Sequence, residues 1–350
     1  MSVFKTVKGR VVFVSFAVLA ILGASAFLLS SKRPLQAGYL SRSGPPERHF
    51  QFWYDLRLTN LPDSSKSLTV WLPIPPSNHH QTISNLKVSS DYPYSIYQEP
   101  EYNNSILRIK LGSPVPESLV VSVNFGVARS AIAALDGNYK PPVSISNELL
   151  KRFLSPDRLV PIDGIIQEET FKVIKGQMSE LDKVKAIYDH VSGTLDYDKS
   201  GIGWGRGDAV YACNARTGNC TDFHSLFIGM ARAGGIPARF VMGFPLPQDE
   251  TKGEITGYHC WAEFYLRGVG WIPVDASEAS KHPERQEFYF GNLDPDRVEF
   301  SIGRDISIEP KEDLEPLNFF IYPLVVVDGQ TLEKADAHFR FVEVKEGESP

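Results

Sequence analysis

The chain has little cysteine: only Cys213, Cys220 and Cys260 occur among its 350 residues. Three thiols do not make a disulfide framework, which excludes a small disulfide-stabilised fold. In an oxidising compartment one thiol must stay unpaired or protected, which suits a reactive Cys220. Cys213 and Cys260 either pair with each other or are plain buried residues, and a Cys213–Cys220 bond would be inhibitory.

Acidic residues are absent before Glu47, whereas three basic residues precede the nineteen uncharged residues 11–29. This charge order places the N-terminus in the cytoplasm and the rest of the chain outside, in the periplasm or at the cell surface. Residues 1–32 are therefore predicted to be a signal anchor or a cleaved signal peptide, and 33–47 a linker. We favour an anchor in the inner membrane, because the apolar run is long enough to span it.

Positive charge is scarce in the remainder. Residues 1–46 carry six basic residues and no acidic one, so the formal net charge changes from −6 for the whole chain to −12 without them. Such an acidic domain has no attraction for nucleic acid. A calcium loop of the type D-x-[DN]-x-[DN]-G is also absent, and we expect neither a metal nor another cofactor.

No internal repeat is found, and a composition with 42% hydrophobic and 22% charged residues is typical of a globular protein. In residues 48–130, short strand-like runs alternate with turn residues, which predicts a small β-sandwich domain. Helical periodicity dominates the first half of residues 140–300 and strands the second half, so we expect an α+β core with an antiparallel sheet. Residues 301–350 are predicted to be a C-terminal β extension.

Cys220 stands where a loop is predicted to turn into a helix, in the run TGNCTDFHSLF. Apolar residues recur from there at three- and four-residue steps until Gly234 and Gly235, which are typical of a helix end. The free N–H groups of a helix N-terminus favour thiolate over thiol. We therefore expect Cys220 to be an accessible thiol of low pKa whose own N–H donates to an oxyanion.

A predicted hairpin supplies the other two candidate residues, in GYHCWAEFY and GVGWIPVDASEA. Period-2 alternation separates His259 and Trp261 from Cys260, which falls on the core side of the strand. A two-residue turn at Gly268 would place Asp275 on the face opposite His259, whereas a three-residue loop places both on one face. The residues then form a Cys-His-Asp arrangement, with His259 as base and Asp275 orienting its imidazole.

These three segments, in this order, resemble the transglutaminase-like superfamily, the papain-related group of acyl-transfer and amide-hydrolysing enzymes, and in particular its bacterial exported branch. The resemblance implies a papain-like core over residues 140–300 and Cys220, His259 and Asp275 as catalytic triad. It implies a cysteine peptidase or amidase that forms a thioester with a peptide or protein substrate. Some members use an upstream tryptophan as oxyanion donor, which makes Trp204 a candidate; the alternative is that Trp204 only packs over the cleft.

Several alternatives remain open from the sequence. The enzyme would instead be a cross-linking transglutaminase if the tryptophans at 204, 261 and 271 wall a dry channel, although such residues also serve for packing. A non-catalytic scaffold in the cell envelope is a third reading. His224 competes with His259 as base, but we expect it to be a structural hydrogen-bond partner. A zinc site built from the cysteines and histidines fits no common ligand spacing.

Overall fold

The computed structural model describes residues 46–62, 64–137, 145–309, 314–333 and 335–345. The predicted anchor or signal segment, residues 1–32 with its apolar run 11–29, lies outside these ranges and stays a prediction. Within the ranges, every helix is too short or too polar to cross a membrane.

The elements follow one another in three groups. The first is β1 (Glu47–Leu58), β2 (Ser67–Ile74), β3 (Gln81–Ser90), β4 (Tyr94–Gln98), β5 (Ser105–Gly112), β6 (Leu119–Ser130) and β7 (Ile132–Ala133). The second is α1 (Asn147–Arg152), α2 (Gly164–Val173), α3 (Glu180–Thr194), β8 (Asp196–Tyr197), α4 (Ala209–Ala215), β9 (Thr217–Gly218) and α5 (Cys220–Ala233). The third is β10 (Ala238–Pro245), β11 (Lys252–Ile255), β12 (His259–Leu266), β13 (Gly270–Val274), α6 (Ala276–Lys281), β14 (Asn292–Leu293), β15 (Arg297–Ile302), β16 (Leu324–Val327), β17 (Gln330–Thr331) and β18 (Asp336–Glu343).

Two five-stranded antiparallel sheets contain most of the strands before α1, in the orders β11-β18-β1-β6-β3 and β17-β16-β2-β5-β4. Strand β1 shows why these residues form a sheet. Its residues Phe50, Phe52, Tyr54 and Leu56 alternate with more exposed ones, so a single face is buried. Buried residues of both sheets join one apolar cluster, which is the arrangement predicted for a β-sandwich.

Strands from the end of the chain complete both sheets. Strand β18 pairs with β1 from Phe50↔Glu343 to Arg57↔Asp336, and β16 pairs with β2. Strand β11, which follows α5 in the chain, pairs with the other edge of β18. The predicted domain limits at residues 130 and 300 remain predictions, but each sheet draws strands from both sides of them.

Besides the two five-stranded sheets, the structure contains an α+β core around helix α5. Helix α5 is buried over nearly its whole length; it contacts α2, α3, α4 and α6 and lies on β10 and β12. Those strands belong to an antiparallel sheet of order β13-β12-β10-β15. The mixed fold with helices first and an antiparallel sheet afterwards confirms the predicted core.

Both ends of α5 follow from its sequence. The side chain of Asn219 accepts a hydrogen bond from the Thr221 N–H and forms a capping box with Asp222. At the other end, Gly235 has φ +82°, and the N–H of Ile236 donates to the carbonyl oxygen of Ala231. This 6→1 bond is the Schellman arrangement, which requires a left-handed residue that glycine adopts without strain.

Candidate active site

Cys220 is the first residue of α5 and is only 3% exposed. Its backbone N–H is one of the first N–H groups of the helix, which have no intrahelical acceptor and lie at the positive end of the helix dipole. The predicted position at the helix N-terminus is correct. The expected accessibility is wrong, because α5 is covered by other helices on one side and by the sheet on the other.

The hairpin between β12 and β13 brings Asp275 to the face of His259. Leu266 pairs with Gly270, so three residues form the loop, as predicted. The ladder ends at Ala262↔Val274, and its continuation places Asp275 opposite Trp261, two residues from His259. Asp275 reaches His259 in spite of this two-residue offset, because it lies beyond the end of β13, where it is the N-cap of α6.

Asp275 is fully buried and accepts hydrogen bonds from four protein groups. Its Oδ2 accepts from Nε2 of His259 at 2.7 Å and from Nη1 of Arg297 at 3.1 Å. Its Oδ1 accepts from the Ser277 hydroxyl and the Glu278 N–H, each at 3.1 Å. Burial raises the pKa of Asp275, but the charge and hydrogen bond of His259, with Arg297, outweigh it and hold the pKa well below its usual range.

His259 and Cys220 form a charged pair inside the protein. Burial lowers the pKa of His259, but the charge of Asp275, its hydrogen bond and the Cys220 thiolate together raise that pKa to about 10. Because Asp275 takes Nε2, Nδ1 is the ring nitrogen left to hydrogen-bond Cys220. The neighbouring Cys260 thiol, together with the hydrogen bond and the charge of His259, keeps the pKa of Cys220 well below that of an ordinary thiol, against the effect of burial. The arrangement therefore favours thiolate and imidazolium.

His224, the rival base, is a structural partner, as expected. It is fully buried, and its Nε2 accepts from the Ala276 N–H at 3.1 Å. Its Nδ1 lies 3.6 Å from Sγ of Cys260. Burial lowers the pKa of His224, so the ring is neutral and carries its proton on Nδ1.

Trp204 lies in a glycine-rich loop. Asp222, in the first turn of α5, hydrogen-bonds to the backbone of this loop. The Asp222 carboxylate accepts from the N–H of Gly205 at 2.6 Å and from that of Gly207 at 2.9 Å. It also accepts from the Asn219 N–H at 3.0 Å. Trp204 is half-buried in this loop. Its proposed donation to the oxyanion stays a prediction.

The other two tryptophans pack in the interior and do not wall a channel. Trp261 is fully buried, with the guanidinium of Arg297 5.2 Å from its ring centroid. Trp271 stacks edge-on against Phe153 at 5.0 Å and lies under the guanidinium of Arg239 at 4.2 Å. Of the two readings that the sequence left open for Trp261 and Trp271, packing is the one observed.

A cavity of about 300 Å³ opens beside His259. Residues 245–248 form one wall, and Tyr289 contributes to another. Its ionisable lining consists of Glu278, His282, Arg285, Asp294, Asp296 and Arg297. The imidazole of His259 is thus reached from a polar space with both signs of charge.

The three cysteines are free thiols, and Cys213 lies apart in α4. Among the described residues, no three His, Cys, Asp or Glu side chains are grouped so that they could hold a metal ion.

The architecture agrees with comparisons with known proteins. Residues 168–276, which contain α5, β12 and Asp275, match the family model described as the transglutaminase-like superfamily. Over this region the chain is similar to the transglutaminase-like superfamily. The match begins within α2 and includes Asp275, and the predicted resemblance is confirmed.

Three known proteins illustrate what the chain is similar to. An uncharacterised protein of Haemophilus influenzae is 26% identical over 314 residues, which cover 79% of this chain and 85% of that protein. The uncharacterised protein YebA of Bacillus subtilis is 24% identical over 171 residues, which cover 41% of this chain and 23% of YebA. A structure described as a candidate cysteine protease from Cytophaga hutchinsonii superposes with a TM-score of 0.57 at 20% identity, over 87% of this chain and 93% of that one. This likeness shows the fold.

Sequence reasoning missed three residues of the site, namely Cys260, Asp222 and Arg297. Alternation along β12 already placed Cys260 on the core side, and α5 is the element that covers that side. Asp222 was visible as the third residue after Asn219, the spacing of a capping box. Arg297 had no local signal, because it reaches Asp275 from β15, a strand at the far edge of the sheet.

Proposed function

We propose that this protein is an exported, cysteine-dependent amide-bond enzyme, a peptidase or amidase that works through a thioester on Cys220. The observation that supports the proposal is the buried connection from Cys220 through His259 to Asp275, with the Nε2–Oδ2 distance of 2.7 Å. Buried charges are costly unless they are paired and hydrogen-bonded, and strongly shifted pKa values cluster at functional sites.

Acylation starts from the thiolate and imidazolium pair. The Cys220 sulfur attacks the carbonyl carbon of the scissile amide, and the electron pair of the C=O bond moves to its oxygen. The N–H of Cys220, and Trp204 if its indole reaches the site, donates to this oxyanion. The intermediate collapses, His259 gives its proton to the leaving nitrogen, and an amine departs from a thioester.

Deacylation reverses the direction of proton transfer. Neutral His259 takes a proton from water as the water oxygen attacks the thioester carbon, and the Cys220 thiolate leaves while the acid product is released. The cavity beside His259 gives the departing amine and the incoming water a route to the base. Asp275 stays ionised throughout and orients the ring.

The substrate class and location are part of the proposal. We expect a peptide or protein substrate outside the cytoplasm, in the periplasm or at the cell surface. Residues 11–29 would anchor the enzyme in the inner membrane. A cross-linking transglutaminase performs the same acylation, but an amine replaces water in the second step.

The test supplies the purified enzyme with a library of glutamine-containing peptides and an excess of primary amine. Mass spectrometry then compares cleaved peptide, released ammonia and amine adduct. We expect hydrolysis products that Cys220→Ala does not form. Dominance of the amine adduct would replace the peptidase reading with cross-linking. Unchanged turnover by Cys220→Ala would refute the cysteine mechanism, and no turnover by the wild type would favour a scaffold.

A further inference from the structure

Cys260 is a second buried thiol that the mechanism above does not use. It follows His259 on β12, so its side chain projects to the opposite face of the strand, which is the face that α5 covers. The residue is fully buried. Its neighbour there is Cys220, at the start of α5, and each of the two thiols shifts the pKa of the other.

The hydrogen bonds around His224 fix the direction of this contact. Nε2 of His224 accepts the Ala276 N–H, which is the first N–H of α6, so Nδ1 carries the hydrogen of the neutral ring. Nδ1 faces Sγ of Cys260 at 3.6 Å, within the range of a hydrogen bond to sulfur. The ring of His224 also hydrogen-bonds to the backbone of Cys220. The sulfur of Cys260 is thus placed to accept from His224, which leaves its own S–H for Cys220.

We propose that Cys260 is a positioning residue for the nucleophile: its S–H donates a hydrogen bond to the Cys220 thiolate, and His224 holds the donor in place. This inference rests on the proposed role of Cys220 as nucleophile. The chain of donors runs from the N–H of Ala276 through His224 and Cys260 to the thiolate.

A thiol donor has an advantage at this position because it is neutral. Burial, and then the neighbouring Cys220 thiolate, raises the pKa of Cys260 far above the ordinary value, so the donor keeps its proton. The thiolate thus gains a hydrogen bond at each of two sides, from His259 and from Cys260, with only one positive charge in the site. His259 remains the proton donor for the leaving group.

Other ionisable groups also act on Cys220 and must be held constant in a test. They are His259 and Tyr258 at β12, His224 and Asp222 on α5, Asp275 before α6, and the more distant Tyr197 and Tyr322. The burial that raises the pKa of each tyrosine keeps them neutral in the range where Cys220 titrates. Variants at Cys260 leave all of these residues in place.

The test follows the ultraviolet absorbance of the thiolate against pH, each variant being measured against its own Cys220→Ala derivative. Cys260→Ala should move the midpoint upward by about one pH unit or more, because a hydrogen bond to a charged group is lost. At a pH below the midpoint, the fraction of Cys220 that is thiolate falls about tenfold for each pH unit by which the midpoint rises. Cys260→Ser, which offers an O–H donor, should restore most of the shift. The acid limb of kcat/KM should move with the midpoint.

Cys213→Ala is the matched control, because Cys213 is buried in α4 away from Cys220. It should leave the midpoint unchanged. An unchanged midpoint in correctly folded Cys260→Ala would overturn the inference while leaving the proposed function intact. Full activity of Cys220→Ala would instead remove the proposed function.

A measurement on proteins that keep Cys260 covers the case in which Cys260→Ala does not fold. The infrared S–H stretching band of Cys260 should lie at lower frequency in the wild type than in Cys220→Ala, where its acceptor is gone. An identical band in the two proteins would contradict donation to Cys220.

Discussion

Asp275 connects His259 to Arg297, Ser277 and the Glu278 N–H. Replacing it by Asn keeps the volume and some hydrogen bonds but removes the charge that holds His259 in its imidazolium form. We expect kcat of Asp275→Asn to fall by on the order of 10⁴-fold, with measurable residual turnover, whereas Cys220→Ala loses turnover completely. Steady-state kinetics with one peptide substrate measures both. Glu287→Gln, at an exposed partner of Lys185, is the control and should match the wild type.

The charged pair also sets the pH range of activity. His259 must carry a proton for the leaving amine, and its pKa is about 10, so activity falls as the pH rises through that value. On the acid side, activity falls only where the thiolate is protonated, well below the range of an ordinary thiol. In Asp275→Asn the basic limb should move down toward the ordinary imidazole value of about 6.5. A basic limb that stays in place in this variant would show that Asp275 does not hold the proton on His259.

Sequence alone reaches the three residues at the centre of the site but not their surroundings. Cys220, His259 and Asp275 each follow a local pattern: a helix start, strand alternation and a hairpin of countable length. Cys260 and Arg297 owe their roles to contacts between elements distant in the chain, which no periodicity reports. Burial of Cys220 escaped prediction for the same reason.

At the scale of elements, the N-cap of α5 serves both stability and chemistry. Asn219 accepts from the Thr221 N–H and also donates to the Tyr258 hydroxyl at 3.1 Å. Ser179 caps α3 in the same way but on the surface, where its hydroxyl accepts from the Asp182 N–H at 3.1 Å. The two caps therefore form a matched pair.

Asn219→Ala and Ser179→Ala should each lower the free energy of unfolding by about 1 kcal/mol, because each leaves a helix N–H without its acceptor. Only Asn219→Ala should also lower kcat, since Cys220 is the next residue and depends on the first turn for its position. Urea unfolding and kinetics on the two variants test this. An equal effect of both variants on kcat would contradict a specific role of the α5 cap.

The elements that are predicted best are those whose ends are marked by particular residues in the sequence. Gly235 ends α5, and the three-residue loop before Gly270 sets the register of β13, both as expected. The position of Asp275 beyond the strand was not foreseen, since it depends on where α6 packs. Strand pairing between β18 and β1 is likewise invisible to local pattern.

At the scale of the whole described structure, β18 lies between β1 and β11 and packs on the sheet that contains β10 and β12. Phe339 of β18 meets Phe244 of β10 with ring centroids 4.3 Å apart, and it stacks edge-on against Tyr54 at 4.7 Å. Loss of β18 would therefore expose two unpaired strand edges and an aromatic cluster.

A chain that stops at residue 335 should be insoluble or unfolded and inactive, whereas a chain that stops at residue 345 keeps all of β18 and should behave as the wild type. Solubility, circular dichroism and peptide hydrolysis compare the two. Full activity of the chain that stops at residue 335 would show that the residues of the proposed active site fold correctly without β18.

The place of β18 has a consequence for the timing of folding during biosynthesis. Cys220 leaves the ribosome, or a translocation channel, well before the strand that completes the neighbouring sheet. Until β18 arrives, β1 and β11 lack their common partner and β10 lacks the aromatic side chain that covers it. A chain in which Cys220 has been synthesised but β18 has not therefore still has two unpaired strand edges and an incompletely covered β10, so this part of the structure forms only after residues 336–343 are translated.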